Sequence, residues 1–315
     1  MHQARPNGRR DRPGRPARLM AVAAALCLCL ALIASCTGGL SLAARAKLAA
    51  ANLADAGFEG RVVEGISFGT HDLALDLYRP SGPASEDGFT VVVFWHGGSW
   101  QTGHRGQYRF VGAALAEAGL MAVIPDYRKY PEVTFPAFME DAAQAVAWAR
   151  TSVADYGGDP DGLRLMGHSA GAHIAALLAA DARYLRAAGM DTTALSGVAG
   201  LSGPYHFTPE EPDIKGIFGP PERYPLMQVS RHVNAATPPM LMLRGTDDET
   251  VGAVNAERLS RALRAAGVAH TVRHVPGLDH VGPIAEFVRT RRGESAVVRM
   301  VVDFLSDATA VTSIH

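Results

Sequence analysis

The sequence predicts an α/β fold: one mostly parallel central sheet flanked by helices, with a small cap inserted late in the chain. Three observations predict it. Short apolar runs bounded by Gly and Pro alternate with longer Ala-rich stretches at helical spacing from about residue 58 onward, the pattern of strands joined by crossover helices. The alternation shows no repeat of fixed period, so it describes one domain and not an array. At 315 residues the chain is near the size at which a single core stops growing.

Two β-like segments, 61–68 and 73–78, open the body. The uninterrupted apolar run 90–95 suits a strand covered on both faces, and it feeds directly into His96-Gly97-Gly98. A helix at 110–118 leads to a strand at 121–125. The next helix, 138–156, stops at Gly157-Gly158-Asp159-Pro160, because Gly accepts a left-handed residue and Pro cannot continue a helix. Strand 163–167, helix 170–180, strands 197–201 and 240–244, helix 253–266, strand 271–275 and helix 294–306 complete the series. Between about 203 and 239 the rhythm breaks into a proline-rich stretch without clear period, which is expected to form the cap.

The head of the chain reads as a lipoprotein-type signal peptide, residues 1–35. Arg5, Arg9, Arg10, Arg12, Arg15 and Arg18 precede an uncharged apolar run at 19–34, which is the plan of an export signal. The run is a little short for a span of about 20 residues. It ends in Ile33-Ala34-Ser35-Cys36, similar to the lipobox of bacterial lipoproteins, which implies lipidation of Cys36, export and a membrane anchor. The alternative is an ordinary cleavage site or an uncleaved signal anchor. Asp11, Arg12 and Pro13 after Arg9-Arg10 favour general secretion over twin-arginine export. Residues 36–57 form an Ala-rich tether, and 58–315 the folded domain. Cys27, Cys29 and Cys36 all lie ahead of that domain, which leaves it no disulfide or thiolate metal site.

Composition excludes some functions. A hydrophobic share of 48% and a charged share of 19% suit a folded chain. Thirty basic against 31 acidic residues leave a net charge of −1, so no whole-protein field draws it to nucleic acid. Twelve histidines invite a metal reading, but no H-E-x-x-H or close carboxylate set accompanies them, and no metal is expected. Nothing in the sequence indicates the oligomeric state.

The strongest local signal is Gly167-His168-Ser169-Ala170-Gly171, a G-x-S-x-G between an expected strand and an expected helix. Such a turn exposes the serine over the carboxyl end of the sheet, and the following helix aims its N-terminal amides at charge developing beside it. A serine hydroxyl needs a base in contact and a group to orient that base. His280, in Gly277-Leu278-Asp279-His280, is the candidate base. Asp248, in the acidic turn 245–251, is the candidate acid, with Asp247 as the alternative. His96-Gly97-Gly98-Ser99-Trp100 reads as an oxyanion loop, with the amides of Gly98, Ser99 and Ala170 as donors. His96 is read as a brace for that loop. Trp100, Tyr205 and His206 are candidate substrate contacts, Trp100 being equally suited to filling space beneath the pocket.

HGGSW at 96–100, DYR at 126–128, YGGDP at 156–160, GHSAGAH at 167–173 and the later Asp and His, in that order, resemble the carboxylesterase and hormone-sensitive-lipase-like branch of the α/β-hydrolases. Prenylcysteine methylesterase-like, feruloyl-esterase-like and kynurenine-formamidase-like members are similar. The likeness covers about residues 58–306. It implies an α/β-hydrolase fold and a cofactor-free Ser-His-Asp esterase acting on a small-molecule ester through an acyl-enzyme. An amidase or arylformamidase built on the same residues, and a non-catalytic lipoprotein binding module that retains the fold, are the rival readings. Ser99 departs from the family, whose lipase-like members usually carry a third glycine there. Asp126, Arg128 and Asp141 match family positions, and the resemblance gives them a structural ion-pair role.

Overall fold

A computed structural model describes residues 58–307 together with residues 46 and 49–52; the expected signal peptide, Cys36 and most of the tether lie outside the described residues. Eight strands form one sheet: β1 (Arg61–Phe68), β2 (Leu73–Arg79), β3 (Val91–Trp95), β4 (Met121–Pro125), β5 (Leu163–His168), β6 (Leu195–Leu201), β7 (Met240–Gly245) and β8 (His270–Val275). Their order is β1-β2-β4-β3-β5-β6-β7-β8. β1 pairs antiparallel with β2 and β2 with β4, and from β4 to β8 every pairing is parallel.

The helices are α1 (Arg109–Glu117), α2 (Ala137–Ser152), α3 (Ala170–Ala180), α4 (Ala182–Ala187), α5 (Pro212–Phe218), α6 (Tyr224–Met227), α7 (Val254–Ala265), α8 (Gly282–Ala285), α9 (Arg289–Arg292) and α10 (Ala296–Ser306). None of those described is long and apolar enough to cross a membrane.

β3 and β4 are buried at every residue, as their unbroken apolar sequences require of strands with helices on both faces. Successive side chains alternate between those faces. Val91, Val93 and Trp95 join the core beneath α2 and α3, while Val92 and Phe94 join the core beneath α1 and α10.

Two helix boundaries differ from the sequence expectation by two residues or more. α2 ends at Ser152 and a 3-10 turn, Val153–Tyr156, continues to Gly157 at φ 85°, so the final turn tightens before the left-handed glycine ends it. α10 starts at Ala296 because the Ser295 side chain accepts from the Val298 amide, an N-cap. α4, capped by Asp181, was not expected.

The stretch between β6 and β7 folds into α5, α6 and 3-10 turns whose Ile217, Phe218, Met227 and Val229 are buried. The Phe135 amide donates to Ile217 O at 2.9 Å, holding the insertion to the segment ahead of α2.

The strand order places the site. β3 has β4 on one side and β5 on the other, so the chain winds outward in both directions from this pair. The loops leaving β3 and β5 therefore part at a topological switch point, where open α/β sheets form a crevice at the carboxyl ends of their strands.

Candidate active site

Ser169 is the single residue between β5 and α3, with φ 53° and ψ −121°, a conformation costing about 1–3 kcal/mol for a residue bearing a side chain. So sharp a reversal brings backbones together. A Cβ on Gly167 would lie 2.2 Å from Gly171 O, and one on Gly171 would lie 2.0 Å from Trp95 O. Both glycines of the G-x-S-x-G are thus required by space. The Ser169 amide donates to Leu201 O at 2.9 Å, seating the turn on β6.

The loops after β7 and β8 bring the other two groups to the serine. His280 Nε2 is 2.9 Å from Ser169 Oγ, and His280 Nδ1 is 3.1 and 3.0 Å from the two carboxylate oxygens of Asp248. Asp248 is buried, and its Oδ1 also accepts from the amides of Thr250 (2.9 Å) and Val251 (2.8 Å). Burial by itself would raise its pKa, but the hydrogen bond from His280 and these amides outweigh burial and hold the carboxyl below its usual range. An ionised carboxylate only accepts, so Nδ1–H donates to it and Nε2 is left to accept from the Ser169 hydroxyl. Asp247 is exposed, with its Oδ1 taking the Thr246 hydroxyl at 2.8 Å. The structure thus separates the two adjacent carboxylates that the sequence left open.

The loop after β3 faces Ser169. A Cβ on Gly97 would stand 3.1 Å from Ser169 Cβ. Gly98, Ser99 and Trp100 have φ of 127°, 53° and 57°, and Gly98 O accepts from the amides of Gln101 (3.0 Å) and Thr102 (2.9 Å). The turn is spent on its carbonyls. Among the described residues the amides of Gly98, Ser99 and Ala170 donate to no protein acceptor. Ser99 takes the left-handed backbone for which a glycine is usually needed.

Buried groups hold this loop from behind. His96 stacks on Tyr127 at 4.6 Å between ring centroids, and its carbonyl accepts from the Tyr127 hydroxyl at 3.1 Å. His96 Nδ1–H donates to Gly97 O at 2.8 Å, and Nε2 lies 3.7 Å from Asp126. Burial pulls the His96 pKa down. Burial of Asp126 would raise its own pKa, yet His96, the Arg105 amide and His104 keep it well below the ordinary range. Asp126 is also paired with Arg105, which bonds Asp76 as well. Arg128 pairs with Asp141 through Nε and Nη2. These are two separate ion-pair sets, one behind the oxyanion loop and one on α2.

Residues 75–263 match the family model BD-FAE. The chain belongs to the BD-FAE family. Among its relatives, "Esterase LipQ" of Mycobacterium tuberculosis is 32% identical over 257 residues, covering 75% of this chain and 60% of that protein. The "Probable isoprenylcysteine alpha-carbonyl methylesterase ICME" of Oryza sativa is 30% identical over 246 residues, covering 71% of this chain and 59% of the relative. The chain thus spans about 60% of the length of these two curated relatives. Of the solved structures, a Pyrobaculum calidifontis esterase superposes with a TM-score of 0.70 at 21% identity, over 85% of this chain and 91% of that one. A truncated carbohydrate esterase from gut microbiota gives 0.68 at 19%, over 78% and 95%. These similarities establish an α/β-hydrolase fold.

The candidate substrate contacts of this BD-FAE member fall in different places. Trp100 is 4% exposed, among Phe138, His173, Phe207 and Phe218. Of its two sequence readings the structure favours space filling, because its ring joins the oxyanion turn to the aromatic core under the cap. Tyr205 is 2% exposed, with its hydroxyl packed against Gly200 and Gly203. The expectation that it touches substrate is corrected: it is a prop beneath the loop after β6. His206 is half-buried, and its ring shares a hydrogen bond with Ser230.

Two histidines of the GHSAGAH motif carry roles the sequence reading missed. His173 is fully buried in α3, and its Nε2–H donates to Met227 O at 2.7 Å, pinning the cap to α3. His168 Nε2–H donates to the carbonyl of His280 at 3.1 Å. Their placement inside the motif was the only available signal. Among the described residues no group of three or more His, Cys, Asp and Glu is arranged to hold a metal ion.

Proposed function

We propose that this chain is a serine hydrolase that cleaves carboxylic esters through an acyl-enzyme. The observation that carries the reading is the continuous chain of contacts from Ser169 Oγ through His280 to Asp248, at 2.9 Å and 3.0 Å. The names of the curated relatives support the ester class. In the proposed reaction His280 Nε2 takes the Ser169 proton as Oγ attacks the ester carbonyl carbon. The carbonyl oxygen becomes an oxyanion held by the amides of Gly98, Ser99 and Ala170, each donor worth about 3 kcal/mol of barrier. Asp248 steadies the imidazolium, which then protonates the departing alcohol. Water, deprotonated by His280, attacks the acyl-serine; collapse of that second intermediate returns the proton to Ser169 and frees the acid.

The test is hydrolysis of a short p-nitrophenyl ester alongside labelling by a fluorophosphonate probe. Wild-type protein is expected to do both, and Ser169→Ala neither, with an unchanged melting temperature. An arylformamide of matched acyl size, run in parallel, separates an amidase from an esterase. Failure of the wild type to react with the probe would leave the fold serving as a binding module. We further propose that residues 1–35 direct export, that Cys36 carries a lipid anchor, and that 36–57 tether the domain 58–315 to the membrane. The charge-then-apolar head and the Ile33-Ala34-Ser35-Cys36 sequence support this reading.

A further inference from the structure

We propose that His168, the residue before the nucleophile, is a positioning residue that references the base loop to the nucleophile strand and so sets the Ser169–His280 contact. This rests on the serine hydrolase reading above.

The loop carrying His280 is anchored mainly to the loop that carries the acid. The Thr246 amide donates to Val275 O at 2.9 Å, the Asp247 amide to Leu278 O at 3.0 Å, and the Gly277 amide to Thr246 Oγ1 at 2.9 Å. These bonds keep His280 in step with Asp248. They do nothing to relate His280 to Ser169, which belongs to β5, three strands away from β8. His168 supplies that relation. It is the last residue of β5, is paired with Leu201 of β6 and is 3% exposed. Its backbone is therefore fixed by the sheet, and its Nε2 reaches the His280 carbonyl at 3.1 Å. The two rings lie 5.3 Å apart at 46°.

The other ring nitrogen supports the assignment. A carbonyl only accepts, so the bond requires hydrogen on Nε2 and leaves Nδ1 as a bare acceptor. That Nδ1 is buried without a partner, which is unfavourable for a polar atom. It faces the oxyanion loop, since a Cβ on Gly97 would stand 3.0 Å from it. One neutral ring thus touches the base loop and the oxyanion loop, and its own backbone leads into the nucleophile. A leucine would fill the same space without an orphaned nitrogen. The feature a leucine lacks is the Nε2 donor.

His168 is no second base. Its Nε2 is occupied as a donor, and burial, with His280 nearby, pushes its pKa down to about 3, so it stays neutral at working pH.

The test compares His168→Gln, whose amide nitrogen reaches about as far as Nε2, with His168→Leu, which keeps bulk and removes the donor. The readouts are fluorophosphonate labelling rate, ester kcat and KM, and melting temperature. His168→Leu is expected to label and turn over about 10- to 100-fold more slowly with KM little changed, the scale of a small misplacement of a reacting group. His168→Gln is expected to stay within about fivefold of wild type, a benchmark taken from the same scale. Equal rates for the two variants at similar melting temperatures overturn the proposal. If His168→Leu does not fold, His168→Asn takes its place: it keeps an amide but is too short to reach the carbonyl. It should then be slow, and Asn as fast as Gln overturns the proposal equally. Absence of labelling in the wild type would instead refute the serine hydrolase reading.

Discussion

Asp248→Asn is the most informative single change, because it keeps shape and removes both charge and tautomer control. In the native site Asp248 accepts from two backbone amides and from His280 Nδ1. In the variant the amide oxygen stays on Thr250 and Val251, which leaves the NH2 facing His280. Nδ1 must then accept, its proton moves to Nε2, and Nε2 can no longer take the proton of Ser169 at 2.9 Å. The lost charge adds to this: opposite unit charges about 4 Å apart attract by about 4 kcal/mol at an effective dielectric of 20. Each 1.36 kcal/mol is about tenfold in rate, so the charge alone predicts about a thousandfold loss. With the tautomer reversed, the fall approaches about 10⁴, the size seen for the equivalent change in another Ser-His-Asp enzyme. The assay is kcat on a short p-nitrophenyl ester at neutral pH, with circular dichroism to check folding. Asp247→Asn, at an exposed carboxylate, should stay within about threefold of wild type, the range of a surface change of up to about 0.5 kcal/mol. A folded Asp248→Asn within tenfold of wild type would refute the reasoning.

Three further outcomes follow. Gly171→Ala places a methyl 2.0 Å from Trp95 O, a backbone atom that cannot turn aside; the change should cost about 3 kcal/mol or more, the upper range for overpacking, and a urea midpoint equal to wild type would show that α3 does not approach β3 so closely. Buried His173 has its pKa pushed down to about 4 from 6.5. The unfolded chain binds this proton between those values and the folded chain does not, so the contribution is complete above pH 6.5 and falls by about 3 kcal/mol as pH drops to 4. Urea melts from pH 7 to 4 should therefore show a shallower acid loss for His173→Gln, and an equally steep one would count against the burial of a neutral ring. Growth with labelled palmitate should label the wild type and not Cys36→Ala; label on that variant removes the lipid-anchor proposal.

Much of this molecule was legible along the chain because the code for it is local. Each expected strand reappears within about two residues, since alternation, buried apolar runs and Gly/Pro stops depend only on neighbouring residues. Ser169 stood out as a candidate because a G-x-S-x-G between a strand and a helix has few other uses, and His280 and Asp248 because the family motifs keep their order. Where the reading fell short, the missing information was tertiary. Tyr205 read as a candidate substrate contact until the close approach of Gly200 and Gly203 showed it buried. The placement of Trp100 was undecided without the aromatic rings of α2, α3 and α5, which come from distant stretches.

The sequence by itself therefore determined the order of elements, the sharp turn that carries Ser169, the glycines that make room for it, and the two loops that carry Asp248 and His280. Tertiary structure decided which of two adjacent carboxylates turns inward, which amides remain unspent, and that a histidine in the nucleophile motif grips the backbone of another 112 residues away. The reason is physical: periodicity and turn chemistry act over a few residues, whereas strand order and register alone bring these loops within hydrogen-bond distance.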